Sequence, residues 1–182
     1  HKAVREDVGL FDQSSFAKFV LKGRDAKNTL QIICSNNVDV EPGTVVYTAM
    51  LNSNGGIEAD VTVTRISEEE FWIFTGAATS NRTFNWIKTN TPHESNVFLY
   101  DITSSYGVIG LMGPKSRALL KKLTGDELSS QQYPFRSSSE FEIGYATVRA
   151  TRITYVGELG WELQIPSEFM VNVYESIVSE GD

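Results

Sequence analysis

Two stretches of this chain set carboxylates beside glycines in runs that read as extended: "GGIEADVTVTR", residues 55–65, and "TYVGELGWELQIP", residues 154–166. In the first, strand alternation sends Ile57, Ala59, Val61 and Val63 to one face and Glu58, Asp60, Thr62 and Thr64 to the other. An acid carried this way can take up or deliver a proton if it faces a cavity. The same alternation is more commonly a half-buried strand with its polar face in water. In the second stretch, Gly157 and Gly160 bracket Glu158, and Trp161 and Glu162 follow. A glutamate on such a turn can accept two parallel N–H bonds from a heterocycle with an amino group beside a ring N–H. An exposed hairpin glutamate is the plainer use. "FWIFTG", residues 71–76, has no polar face. Either both its sides are covered, or one lines an apolar cavity where a flat ligand lies on Trp72 or Phe74.

Other chemistries are thinly supplied. His1 and His93 are the only histidines, and His93 sits in the loop-like "TNTPHESN". A histidine triad or a histidine-rich metal site is excluded on supply, and no metal is expected. No G-x-G-x-x-G, Walker loop or G-x-S-x-G occurs. Cys34 ends a helical stretch on its apolar side and reads as a small core residue. As the single cysteine it forms no internal disulfide, which accords with a reducing compartment. Asn81-Arg82-Thr83 fits a glycosylation sequon, a triplet that chance supplies readily. A net charge of −7 opposes binding to a phosphate backbone, so no nucleic acid is expected. No run approaches the length of a membrane span. The opening "HKAVREDVGLFD" lacks signal-peptide order and an initiator Met, so the chain reads as a piece of a longer protein.

The elements that must carry these groups are legible in outline. Strands are expected at 14–22, 44–52, 57–66, 71–76 and 96–102, with helices at 24–34 and 79–90, the latter capped by Thr79 or Ser80. "SNGG" makes a hairpin of the second and third strands. Beyond residue 105, "YGVIGLMG" is a strand and "PKSRALLKKL" a helix with Pro114 in its first turn. Residues 124–143 read as a long polar connection. "GYATVRATRITYVG" is one long strand or two, "ELGWELQIP" turns and returns, and Ser167 caps a closing helix striped by Phe169, Val173 and Ile177. "FVLKGRDAKNTL" and "IGLMGPKSRALL" share strand, glycine, Ala and Leu at matching offsets. The chain is therefore read as one α+β domain, residues 1–182, of two βαββ-like halves, about 8–103 and 106–182, with mainly antiparallel sheet.

"VGLFDQSSFAKFVLKGRDA", "YTAMLNSNGGIEADVTVTR", "LMGPKSRALL" and "YVGELGWELQIP" together resemble the folate-binding domain of the aminomethyltransferase family, which includes the glycine cleavage T protein. The spelling is most similar to the C-terminal part of sarcosine and dimethylglycine dehydrogenases. The resemblance runs in order from Val8 to Gly181. It implies tetrahydrofolate as cofactor, with Asp60 as the acid facing its reactive nitrogens and Glu158 binding the pterin's amino and N3–H edge. It implies Tyr47, Trp72 and Phe74 in the pocket wall, with Tyr155 a neighbour. Ala59 stands where T proteins carry a second aspartate. The resemblance implies, as partners, folate and a one-carbon unit from a methylated amine. A further β domain, and possibly an FAD domain, would lie outside these residues, with FAD belonging to the latter alone. It implies a bacterial cytoplasm or a mitochondrial matrix. The same fold also serves non-catalytic regulatory relatives, so a regulatory or structural module is the alternative to a transferase or oxidoreductase part.

Overall fold

The structure, a computed structural model, describes residues 1–181. Alternating patterns such as those of Ser138–Ile143 and Gly160–Pro166 and near-continuous apolar runs such as those of Glu70–Thr75 and Tyr106–Met112 build the strands, and i, i+3, i+4 spacing builds helices such as Ala26–Ile33 and Ser116–Thr124. In chain order these are α1 (Lys2–Glu6), β1 (Gly9–Asp12), β2 (Ala17–Lys22), α2 (Ala26–Ile33), β3 (Val45–Leu51), β4 (Ile57–Ser67) and β5 (Glu70–Thr75). Then come α3 (Ser80–Asn90), β6 (Phe98–Asp101), β7 (Tyr106–Met112), α4 (Ser116–Thr124), β8 (Ser138–Ile143), β9 (Ala146–Thr151), β10 (Gly160–Pro166) and α5 (Met170–Gly181). The expected α+β class with antiparallel sheet is what these elements form.

The chain divides into two units. An inserted unit spans Ser15–Thr103, and a host unit joins His1–Ser14 to the chain from Ser104 onward. The inserted sheet has strand order β3-β4-β5-β2-β6; the host sheet has β8-β9-β10-β7-β1. Every pairing is antiparallel. Taking β2 with β7, β3 with β8, β4 with β9 and β5 with β10, the orders are the same. The edge beside β2 is filled by β6, from the end of its own unit. The edge beside β7 is filled by β1, from the start of the chain. Each sheet packs its helices on one face. Ala26, Thr29, Leu30 and Ile33 of α2 are buried in the inserted unit, whose core holds Phe19, Leu21, Phe71, Ile73 and Ile87. In the host unit, Leu119, Leu120, Val173 and Ile177 meet Trp161, Leu163 and Val148.

Several boundaries differ from the expected ones. β1 and α1 are not anticipated, and because β1 pairs with β7 the residues before 15 belong with the second half. Pro114 precedes α4 rather than opening it; Lys115 is the residue flanking its start. Ser167 begins a 3-10 turn, its hydroxyl donates to the Ser104 carbonyl, and α5 starts at Met170. Thr79 flanks α3, but its hydroxyl donates to Gly76 O instead of capping. Residues 152–159 leave the sheet, so "GYATVRATRITYVG" contributes the single strand β9.

The glycine shared by the two halves has a steric reason. Gly23 (φ +138°) and Gly113 (φ +135°) join strand to helix, and a Cβ there would sit 2.2 Å from Asn96 O and 2.3 Å from Asp7 O. Both obstacles are backbone and cannot swing aside. Gly23→Ala or Gly113→Ala is therefore expected to cost more than about 2 kcal/mol. Gly55→Ala, at φ +78° with nothing within 4 Å, should cost about 1 kcal/mol. Urea titration of the three variants reads the ranking directly.

Candidate functional site

In the inserted unit the site begins with a turn organised by one asparagine. Asn52 Oδ1 accepts from the backbone N–H groups of Asn54 (3.0 Å) and Gly56 (2.9 Å). Its Nδ2 donates to Glu58 Oε1 at 2.8 Å. A side chain at Gly56 would meet Asn52 Nδ2 at 2.9 Å, so the turn is packed as well as bonded. Arg82, on α3, donates to the second Glu58 oxygen at 2.5 Å. The Arg82 guanidinium, and then Asn52, hold the Glu58 carboxyl below its usual range. Glu58 is thus engaged on both oxygens.

Asp60, two residues on, is exposed on the same face. Among the described residues its one side-chain partner is Tyr47, whose hydroxyl donates to Oδ2 at 3.0 Å across the β3–β4 pair. The Asp60 carboxylate pushes the Tyr47 phenol above its ordinary value. Thr75 Oγ1 fixes the strand here, donating to Asp60 O at 2.9 Å. The register continues this face across the sheet: Tyr47 lies opposite Thr62, Thr62 opposite Phe74, and Phe74 opposite Lys18. Trp72 and Phe74 are tilted rings 6.5 Å apart, both buried, with Trp72 Nε1 donating to Glu70 Oε1 at 3.1 Å.

The expected half-buried strand needs one correction. The polar face of β4 is exposed at Asp60 but buried at Thr64, while Ile57, assigned inward, is exposed before the register settles. Lys18 escaped the sequence reading. It is wholly buried, with Nζ donating to Phe16 O at 2.6 Å. Its strand position between Ala17 and Phe19 was the available signal. Cys34 is a buried core thiol, as its helical position implied, and burial pushes it up to about 12.

In the host unit, Glu158 lies in the segment between β9 and β10, just after Gly157 (φ +82°). Arg5 of α1 donates to Glu158 Oε1 at 2.9 Å and to Val156 O at 2.7 Å. The second Glu158 oxygen has no protein partner among the described residues, so one acceptor edge is open. Tyr155 is exposed and meets Phe11 edge-on, centroids 5.7 Å apart. Where β10 begins, Trp161 turns into the core and Glu162 to the opposite face, nearly as deeply buried. Burial pushes the Glu162 carboxyl up to about 7; the nearby Gln13 amide, outside ordinary hydrogen-bond geometry, offsets part of this. The folded state therefore holds a proton that the unfolded chain has lost, and the associated stability fades as pH rises from about 4.5 to 7. Unfolding free energies from denaturant titration at pH 5 and pH 8 should differ more in wild type than in Glu162→Gln, by an amount on the order of 1–3 kcal/mol.

Tyr47, Asp60, Trp72 and Phe74 thus belong to the inserted unit, and Tyr155 and Glu158 to the host unit. Two open hollows within the units, of about 460 and 330 Å³, are lined by other residues, such as Leu10, Phe11 and Tyr174 in the first and Phe84 and Phe98 in the second. Among the described residues no group of three or more His, Cys, Asp or Glu is placed to hold a metal ion. Among the described residues, no helix is long and apolar enough to cross a membrane.

Comparison with known proteins sets this geometry in a family. Mouse mitochondrial dimethylglycine dehydrogenase is 36% identical over 182 residues, covering 100% of this chain and 21% of the relative. The mitochondrial pyruvate dehydrogenase phosphatase regulatory subunit of mouse is 32% identical over 183 residues, covering 99% of this chain and 21% of the relative. The chain thus spans about a fifth of the length of these relatives. The glycine cleavage system aminomethyltransferase T of Bartonella henselae superposes with a TM-score of 0.86 over 98% of this chain and 47% of that one, at 23% identity, and so shares the fold. The GCVT N-terminal domain family matches residues 1–182. From its first residue to its last, this chain belongs to that family, as an aminomethyltransferase-type domain related to dimethylglycine dehydrogenase.

Proposed function

We propose that the chain is the tetrahydrofolate-binding part of an enzyme that transfers a one-carbon unit derived from a methylated amine. The observation that carries this reading is the Tyr47–Asp60 pair: an exposed carboxylate, held by a single phenol, on a strand whose neighbouring acid is already neutralised by Arg82. Asp60 is the group left to exchange a proton with a ligand. Tetrahydrofolate, when bound, supplies the nucleophilic nitrogens that accept the one-carbon unit. Asp60 takes the proton released as such a nitrogen forms its new bond, and Tyr47 orients the accepting oxygen. Glu158 offers its open oxygen to the pterin's N–H edge, in exchange for part of its contact with Arg5. Trp72 and Phe74, on the face that carries Tyr47, line the folate pocket, and Tyr155 flanks Glu158. A further β domain and, in a dehydrogenase, an FAD-carrying part outside these residues would complete the active enzyme. Its compartment would be the mitochondrial matrix in a eukaryote and the cytoplasm in a bacterium.

The regulatory relative favours a second reading, in which the fold is kept for assembly without catalysis. Isothermal titration with tetrahydrofolate separates the two. Saturable binding that Glu158→Ala weakens supports the first. Absence of binding, both in this chain and in the longer protein that carries it, leaves only the second.

A further inference from the structure

We propose that Arg117 and Arg152, in the host unit, form a binding site for a doubly charged oxyanion of the phosphate type. Arg117 lies in the first turn of α4, and Arg152 directly follows β9. Both guanidinium groups lie over the buried Trp161, with Cζ 6.0 and 5.9 Å from the ring centroid. Both donate through Nη2 to the same hydroxyl, Ser130 Oγ, at 2.9 and 3.3 Å. Arg152 Nη1 also donates to Tyr133 O. Two positive charges are thus gathered at one oxygen.

Their surroundings contain no compensation. Arg5, Arg24, Arg65, Arg82 and Arg149 each pair with a carboxylate. Arg117 and Arg152 have no acid within 4 Å among the described residues, in a chain with 23 acids to 16 lysines and arginines. The Nε atoms of both are buried without a hydrogen-bond partner. Burial, and then the Arg117 charge, lower the Arg152 guanidinium from its ordinary value. Holding like charges together costs free energy, which stacking on Trp161 offsets in part. Guanidinium N–H groups beyond those bonded to Ser130 and Tyr133 can donate to the oxygens of a phosphate, and a dianion accepting from both arginines would neutralise both charges. Ser130, already accepting from both arginines, has its own proton left to donate to that anion. This site lies apart from the folate reading and stands without it.

The test is isothermal titration of the full chain with inorganic phosphate in chloride buffer at fixed ionic strength, repeated with sulfate and glutarate. Phosphate is expected to bind at one saturable site with Kd of about 1 mM or tighter, displaced by sulfate and at least about tenfold less well by glutarate. Arg117→Gln should weaken phosphate about tenfold or more, while Arg24→Gln leaves it unchanged. Arg117 is the chosen position because, among the described residues, its guanidinium bonds Ser130 alone, whereas Arg152 also holds the Tyr133 carbonyl. Should Arg117→Gln fail to fold, Ser130→Ala takes its place, with an expected loss in the same direction. Phosphate heats indistinguishable from chloride in the wild-type chain, binding unaffected by the substitution, or glutarate outcompeting phosphate would each overturn the assignment.

Discussion

Asp60→Asn is expected to lower folate-dependent one-carbon transfer about 10²–10⁴-fold while leaving tetrahydrofolate affinity within a few-fold, because the amide keeps the shape and loses the proton acceptor. The structure makes this a clean substitution. Asp60 is exposed, its single side-chain bond is to Tyr47, and its backbone is held separately by Thr75. Asparagine can still accept from the Tyr47 hydroxyl, so the fold should not register the change. The measurement is kcat beside Kd in the complete enzyme. Full-rate transfer by the variant would remove Asp60 from the proton path. Glu58→Gln offers the contrast, because it breaks a charged pair with Arg82 and disturbs the Asn52 turn. It should raise Kd by moving the strand end, with a smaller effect on kcat.

The second large effect is expected at Glu158. Glu158→Ala should weaken tetrahydrofolate binding about 10–100-fold, on the order of 1.5–3 kcal/mol for a lost charge-assisted interaction. Its partner Arg5 sharpens the test. The Arg5–Glu158 pair is part-exposed on both sides, and such pairs contribute about 0–1 kcal/mol. Arg5→Ala should therefore cost little stability and leave binding unchanged or slightly tighter, since it frees the carboxylate. Calorimetry on Glu158→Ala, Arg5→Ala and the double variant checks both. If Arg5→Ala weakens folate as much as Glu158→Ala does, the arginine is a partner of the ligand and not its competitor.

The local chemistry of the fold was legible because it rests on short-range physics. Ala59, Val61 and Val63 alternate into the core as read, and the shared glycine at 23 and 113 marked the same strand-to-helix corner twice. What escaped was set at long range. β1 is four residues long with no pattern of its own, and it becomes a strand because β7 presents an open edge. Thr64 looks like a solvent-facing threonine and is buried, because alternation fixes which face a side chain takes and not what covers that face. Glu162 followed the turn in the sequence like any surface acid, yet it stands on the strand face opposite Trp161 and is desolvated there. The Arg117–Arg152 pair, 35 positions apart, had no signal in the sequence. Among the candidate site residues, Asp60 and Tyr47 were placed in hydrogen-bond reach by register, which a hairpin reading supplies once the turn is fixed.

The borrowed edge strand also sets a timetable for synthesis. Gly9 must find Met112, a partner made only after the whole inserted unit has been synthesised. At about 5–20 residues per second, that leaves the N-terminal segment waiting roughly 5–20 s. The inserted unit, with all five of its strands between Ala17 and Asp101, is free to mature in that interval. By folding, it draws residues 14 and 104 nearer than a random coil would, which shortens the effective loop that β1 must close.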